Sequence, residues 1–161
     1  MLSWLAGKMI ERNMKAMRAG DPGPTVAMYA DDVQFHFPGD SSFAPGAGNK
    51  ADLEAWLRRF IDLGLQIYPD EVILKGFPWR QTICVRGHIH LDRPGDGRIY
   101  DNRYVIWGHI AWGKLREYEV YEDTEETRRL DEYLARAYEP DADRRLDLLG
   151  QHFRRRRRDW S

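Results

Sequence analysis

The chain has 161 residues, of which 42% are apolar and 12% aromatic, and a net charge of −1. That is enough apolar surface for one core, and it excludes a disordered chain or an overall electrostatic pull toward nucleic acid. A single cysteine, Cys84, excludes an internal disulfide or a thiolate metal site and points to a reducing cytoplasm. No apolar run approaches the ~18 residues of a membrane span, and Lys8 and Glu11 come too early for a secretory signal.

Residues 3–19 are predicted to be helical, because Leu5, Met9, Asn13 and Met17 recur at four-residue steps with Ile10 and Met14 beside them. Gly20–Pro24 breaks that helix, and Pro24 suits the first turn of a short second one over Pro24–Tyr29. A strand is expected at Val33–Phe37, stopped by Pro38-Gly39, and residues 38–48 read as a loop rich in Gly, Pro, Ser and Ala. The third helix aligns Leu53, Trp56, Leu57, Phe60 and Ile61 on one stripe, with Asn49 as its N-cap, Asp52 at the third position and Gly64 as terminator. Strands follow at about 67–75, 79–92, 98–111 and 115–122. Pro94–Gly97 turns one hairpin and Trp112-Gly113-Lys114 the next. Asp123 caps a last helix to about residue 137, which Pro140 ends.

This order is an α+β plan with helices gathered on one face of a mainly antiparallel sheet. Residues 1–138 read as one domain and 139–161 as an arginine-rich extension. Residues 151–161 hold five arginines against Asp159, a net of +4, leaving −5 for residues 1–150. The run Arg154–Arg158 has no interleaved aromatics, so a solvated tail or a contact with an acidic partner surface is expected rather than nucleic acid. Strand 98–111 alternates Tyr100, Asn102, Tyr104, Ile106 and Ile110 with Ile99, Asp101, Arg103, Val105, Trp107 and His109. Both faces carry large residues, so both are expected to be covered.

Several strings resemble the nuclear transport factor 2-like superfamily and, within it, the SnoaL-like proteins: Gly20-Asp21, Tyr29–Val33, His36–Gly39, Tyr100–Asn102, Trp112–Lys114 and Tyr121–Thr124. The resemblance implies a cone, in which a curved sheet wraps against three to four helices around a closed-ended cavity. It also implies a homodimer paired through the outer sheet face. Families of this shape include isomerases, dehydratases, hydrolases and polyketide cyclases, and also members without catalysis.

By that resemblance Gln34 and His36 point into the cavity, with Asn102 and Tyr104 from the long strand and Tyr118 and Glu122 from the last one. Val120 stands where the hydrolase-like members hold an inward carboxylate, so the epoxide-hydrolase mechanism is not carried over. Strand 79–92 has two registers, one bringing Gly87 and Ile89 inward and the other Arg86, His88 and His90. His36 is the expected proton-transfer base, Tyr104 or Tyr118 an oxyanion donor, and Glu122 a second proton-transfer group raised by burial. Gln34, Asn102 and Tyr118 are expected to orient a substrate, with Trp56 and Phe60 as cavity wall. No cofactor and no metal are expected, since His88-x-His90 and His109 lack accompanying carboxylate or Cys ligands. The expectation is a small hydrophobic ligand in a conical pocket, turned over by acid–base chemistry or held without chemistry, and no membrane partner.

Overall fold

The four-residue periodicity at the start of the chain becomes α1 (Leu2–Arg18), followed by the short α2 (Gly23–Val26), β1 (Tyr29–His36), β2 (Gly46–Ala47) and α3 (Lys50–Asp62). Four long strands come next, β3 (Gln66–Phe77), β4 (Arg80–Arg93), β5 (Gly97–Ala111) and β6 (Lys114–Glu122), and then α4 (Thr124–Ala137). The computed structural model describes residues 2–137, so the arginine-rich extension lies outside the described residues. Both predicted caps are made. The Asn49 side chain accepts from Asp52 N at 2.9 Å while its amide donates to the Asp52 carboxylate at 2.8 Å, a reciprocal box. Asp123 Oδ1 accepts from Glu125 N at 3.0 Å at the start of α4.

The six strands form one curved open sheet in the order β2-β1-β6-β5-β4-β3. Only the β1/β6 pair is parallel. α1 packs on β3, α3 on β1 and β2, and α4 on β5, and the buried residues of all three helices join one core with the inner strand residues. Ser3 Oγ both donates to Leu74 O and accepts from Leu74 N, and Arg18 donates to Ile67 O, so the two ends of α1 are pinned along β3.

Three expectations change. β1 begins at Tyr29 rather than Val33, because Tyr29 pairs with Leu115 and is buried, which also shortens α2. The β5–β6 turn has two residues, since Ala111 pairs with Lys114. Trp112 and Gly113 both have positive φ, 53° and 77°, the pair that a tight right-twisted hairpin requires. The outer face of β5 is open in the single chain, with Trp107 half exposed.

The register of β4 is settled by space. Ile83, Val85, Gly87, Ile89 and Leu91 face inward. At Gly87 a Cβ would lie 2.2 Å from Tyr68 O and 2.4 Å from the Tyr104 hydroxyl. The missing side chain lets the Tyr104 ring cross β4 and donate to Tyr68 O at 3.1 Å. His88 and His90 lie on the other face; both stack on Tyr68, at 5.1 and 5.5 Å.

Candidate active site at the end of the inner sheet face

The expected hollow is filled by aromatic rings. Phe35 sits between Tyr118, stacked at 4.4 Å, and the edge of Trp56 at 4.8 Å. Tyr29 stacks on the far side of Tyr118 at 5.4 Å. Phe43, from the loop after β1, reaches in to contact Phe37, Trp56 and Phe60 at 5.8, 5.8 and 6.5 Å. The Trp56 indole N–H donates to Phe43 O at 2.9 Å. Each such ring pair adds roughly 0.5–1.5 kcal/mol beyond its burial, so this wall is both core and the surface any interior ligand would meet.

Beside the wall lies a buried polar group. Tyr100 and Asn102, two apart on β5, share the inner face by strand alternation, and Glu122 is the last residue of β6. The first turn of α4 brings Thr127 over them. The Thr127 hydroxyl donates to Glu122 Oε1 and lies 3.3 Å from the Tyr100 hydroxyl. Thr127 thus links the Tyr100 hydroxyl to the Glu122 carboxyl. The Asn102 amide donates to Tyr100 OH at 3.2 Å and to Asp123 O at 2.9 Å, and its carbonyl accepts from Asp123 N at 3.3 Å. Asn102 therefore clamps the β6–α4 junction, holding Glu122 at the edge of the interior.

Burial pushes the Glu122 carboxyl up to about 7; the hydrogen bonds from Thr127 and Tyr100 pull the other way, and the Asp123 charge adds to the rise. Tyr100, Tyr104 and Tyr118 are all pushed up, chiefly by burial, so all three stay protonated at physiological pH.

Among the predicted site residues, the interior brings together Asn102, Tyr104, Tyr118, Glu122, Trp56 and Phe60. The expected inward orientation of Gln34 and His36 is corrected. On β1 the buried residues are Val33 and Phe35, and Gln34 and His36 are exposed on the opposite face. Gln34 donates to Gly48 O and Asp32 O. His36 stands beside Glu119 in the β1/β6 register, at an open depression of about 310 Å³ on the outer face. Tyr104 points inward, but its hydroxyl is committed to Tyr68.

Two participants were not singled out from the sequence. Tyr100 shares the Asn102 face two residues away, and that alternation was its signal. Thr127 is visible only once Asp123 is known to cap α4, which sets the first turn over β5.

A curved, mostly antiparallel sheet with its helices on one face defines the nuclear transport factor 2-like class. The chain belongs to the SnoaL-like domain family, whose pattern matches residues 10–118. No curated protein gives a significant match, whereas solved structures share the fold. A nuclear transport factor 2-like protein of unknown function from Burkholderia pseudomallei is 22% identical with a TM-score of 0.61, covering 77% of this chain and 95% of that one. TerC, crystallised with polyporic acid, is 20% identical with a TM-score of 0.62, covering 78% and 96%. IdmH from Streptomyces antibioticus, a candidate polyketide cyclase, is 12% identical with a TM-score of 0.52, covering 76% and 96%.

Proposed function

We propose that this protein is a cofactor-independent enzyme that moves protons on a flat hydrophobic carbonyl compound, with Glu122 as the proton-transfer group. The observation that carries the reading is Glu122 itself, an inner-face carboxyl held near 7 by burial. Such a group populates acid and base at neutral pH, the condition under which one residue can both take and return a proton. As carboxylate it removes a proton from the carbon beside a carbonyl; as acid it delivers the proton to a second position.

Tyr100, kept protonated by burial, turns its hydrogen bond from Thr127 toward the developing oxyanion. Asn102 acts as a positioning residue through the Asp123 backbone. Trp56, Phe60 and Tyr118 supply the apolar wall, and Tyr104 braces β3 through Tyr68. His36 and Gln34, on the outer face, take no part. The polyporic acid bound by TerC and the polyketide chemistry ascribed to IdmH support the substrate class: planar, conjugated and enolisable.

The test is turnover across a panel of hydroxyquinones and cyclic 1,3-diketones, followed from about pH 5.5 to 8.5. Activity that rises through about pH 7 supports Glu122 as base. A flat profile, or no turnover of any member, removes the reading.

A second reading keeps the fold but drops the chemistry: a ligand-binding or dimerising module. The rings that fill the interior favour it. For the dimer, the outer sheet face offers Ile73, Trp107 and Tyr121, each about half exposed. Ile73, Cys84 and Trp107 fall in one cross-strand row, an apolar centre bordered by Glu71, Arg86 and Glu119. Trp107→Glu places a charge in that centre and is expected to convert a dimer to a monomer in sedimentation equilibrium. A native protein that is already monomeric at micromolar concentration would end the dimer proposal.

A further inference from the structure

Three segments far apart in the chain meet at one end of the sheet. The β3–β4 turn presents Phe77 and Trp79, their rings stacked at 5.0 Å. The β5–β6 turn presents Trp112, 6.4 Å from Trp79, and Trp112 N donates to Pro78 O at 3.0 Å. The first turn of α1 joins them through Ser3, bonded both ways to Leu74 three residues before Phe77, and Trp4 and Leu5 follow. Trp112 is 75% exposed, Trp4 and Phe77 66%, Leu5 60% and Trp79 54%. Hairpin geometry requires none of these rings. Turns call for Gly, Pro, Asn or Asp, and the contiguous patch of Phe77, Trp79 and Trp112 marks an interaction surface.

The charges around the patch identify the partner. Residues 1–10, 72–82 and 109–115 contain Lys8, Lys75, Arg80 and Lys114 and no Asp or Glu, although the chain has 26 acids in 161 residues. Lys8 Nζ stands 5.9 Å over the Trp4 ring. The acids begin at the α1 side of this end, where Asp70 and Glu71 on β3 and Glu11 on α1 line a depression shared with Trp4 and Lys8. Farther along β6, Arg116 is paired with Asp32.

We propose that this end of the molecule docks on an anionic lipid surface. Phe77, Trp79 and Trp112 enter the headgroup layer and Lys75, Arg80 and Lys114 lie on the phosphates, with Trp4 and Lys8 of α1 at the margin of the contact. Indole rings partition to that layer because one edge is apolar and the other donates a hydrogen bond. Each basic side chain near an anionic leaflet adds roughly fivefold to binding, and apolar and basic signals together give the retention that neither gives alone. Phe77, Trp79 and Trp112 project from turn tips rather than line a groove, which suits a fluid surface better than a peptide. No described helix is long and apolar enough to cross a membrane, so the contact is peripheral. The expectation of no membrane partner rested on span length, which does not bear on such a contact.

Co-sedimentation with vesicles of phosphatidylcholine containing about 30% phosphatidylglycerol tests this with the full chain. Binding is expected, at least tenfold weaker to phosphatidylcholine alone and at least tenfold weaker for W79S/W112S. Both rings are exposed, so the variant keeps its fold, which a thermal melt confirms. A second variant with Arg154 to Arg158 all changed to Gln separates the tail from the tip and is expected to retain most binding. The proposal is overturned by no binding, by binding that W79S/W112S leaves unchanged, or by binding lost with the arginines alone. It is also overturned if W79S/W112S dissociates an oligomer of a protein that never sediments with vesicles.

Discussion

Glu122→Gln is expected to abolish turnover and, above neutral pH, to make the protein more stable. Both effects come from one cause. In the folded chain burial raises the carboxyl from 4.5 to about 7, so between those values the folded state holds a proton that the unfolded state has released. Stability therefore falls as pH rises through that window and has lost its full share above about pH 7, on the order of 3 kcal/mol. Gln keeps the shape and the acceptor for Thr127 but carries no charge to desolvate. The two proteins should match in urea denaturation near pH 4 and diverge by about 2–3 kcal/mol at pH 8, the variant being the more stable. Turnover should drop by roughly 10²–10⁴-fold. A stability gain with unchanged turnover would leave Glu122 a buried structural carboxyl and sink the enzyme proposal. Equal stabilities at pH 8 would contradict the burial itself.

The elements were legible in the sequence because their signals are local. Asn49 and Asp123 sit where capping chemistry requires them, and the period-two pattern of β5 placed Tyr100, Asn102 and Tyr104 on one face. β1 is more instructive. Val33-Gln34-Phe35-His36-Phe37 alternates apolar and polar residues, which by itself turns Gln34 and His36 to the outside. The family resemblance argued the opposite, and the local pattern prevailed, because Phe35 has Trp56 and Tyr118 to pack against. The register of β4 was not decidable locally. It depends on the Tyr104 ring crossing at Gly87 from another strand, a contact seventeen residues away in the chain. Likewise the Thr127–Glu122 bond needs the angle at which α4 leaves the sheet, and no single segment encodes that angle. Phe43 lies in a segment whose composition reads only as loop, yet it closes the aromatic wall.

Phe43→Ala is expected to be the most destabilising single change in that wall, by roughly 3–5 kcal/mol. The size follows from how the loop is tied. Ser42 N and Oγ donate to the two carboxylate oxygens of Asp131 on α4 at 2.7 and 2.6 Å. Arg59 on α3 donates to Ser42 O and, at 2.5 Å, to Ser42 Oγ. The Arg59 guanidinium also lies 4.9 Å from the Phe43 ring. With the backbone anchored to two helices, the loop cannot sink into the space the ring leaves, so a cavity remains among Phe37, Trp56 and Phe60 and the cost falls toward the upper end of the range. Melting should drop by roughly 6–20 °C, best measured at about pH 8.5, above the window in which Glu122 adds its own pH dependence. The same cavity gives the change a second readout. Removal of the ring should strengthen binding of a planar aromatic probe such as polyporic acid, seen in a direct titration and as recovery of part of the lost melting temperature. A loss below about 1 kcal/mol would mean the ring is not packed as described. A full loss with no gain in probe binding would mean the wall is only core, which would count against any interior ligand and leave the dimerising module.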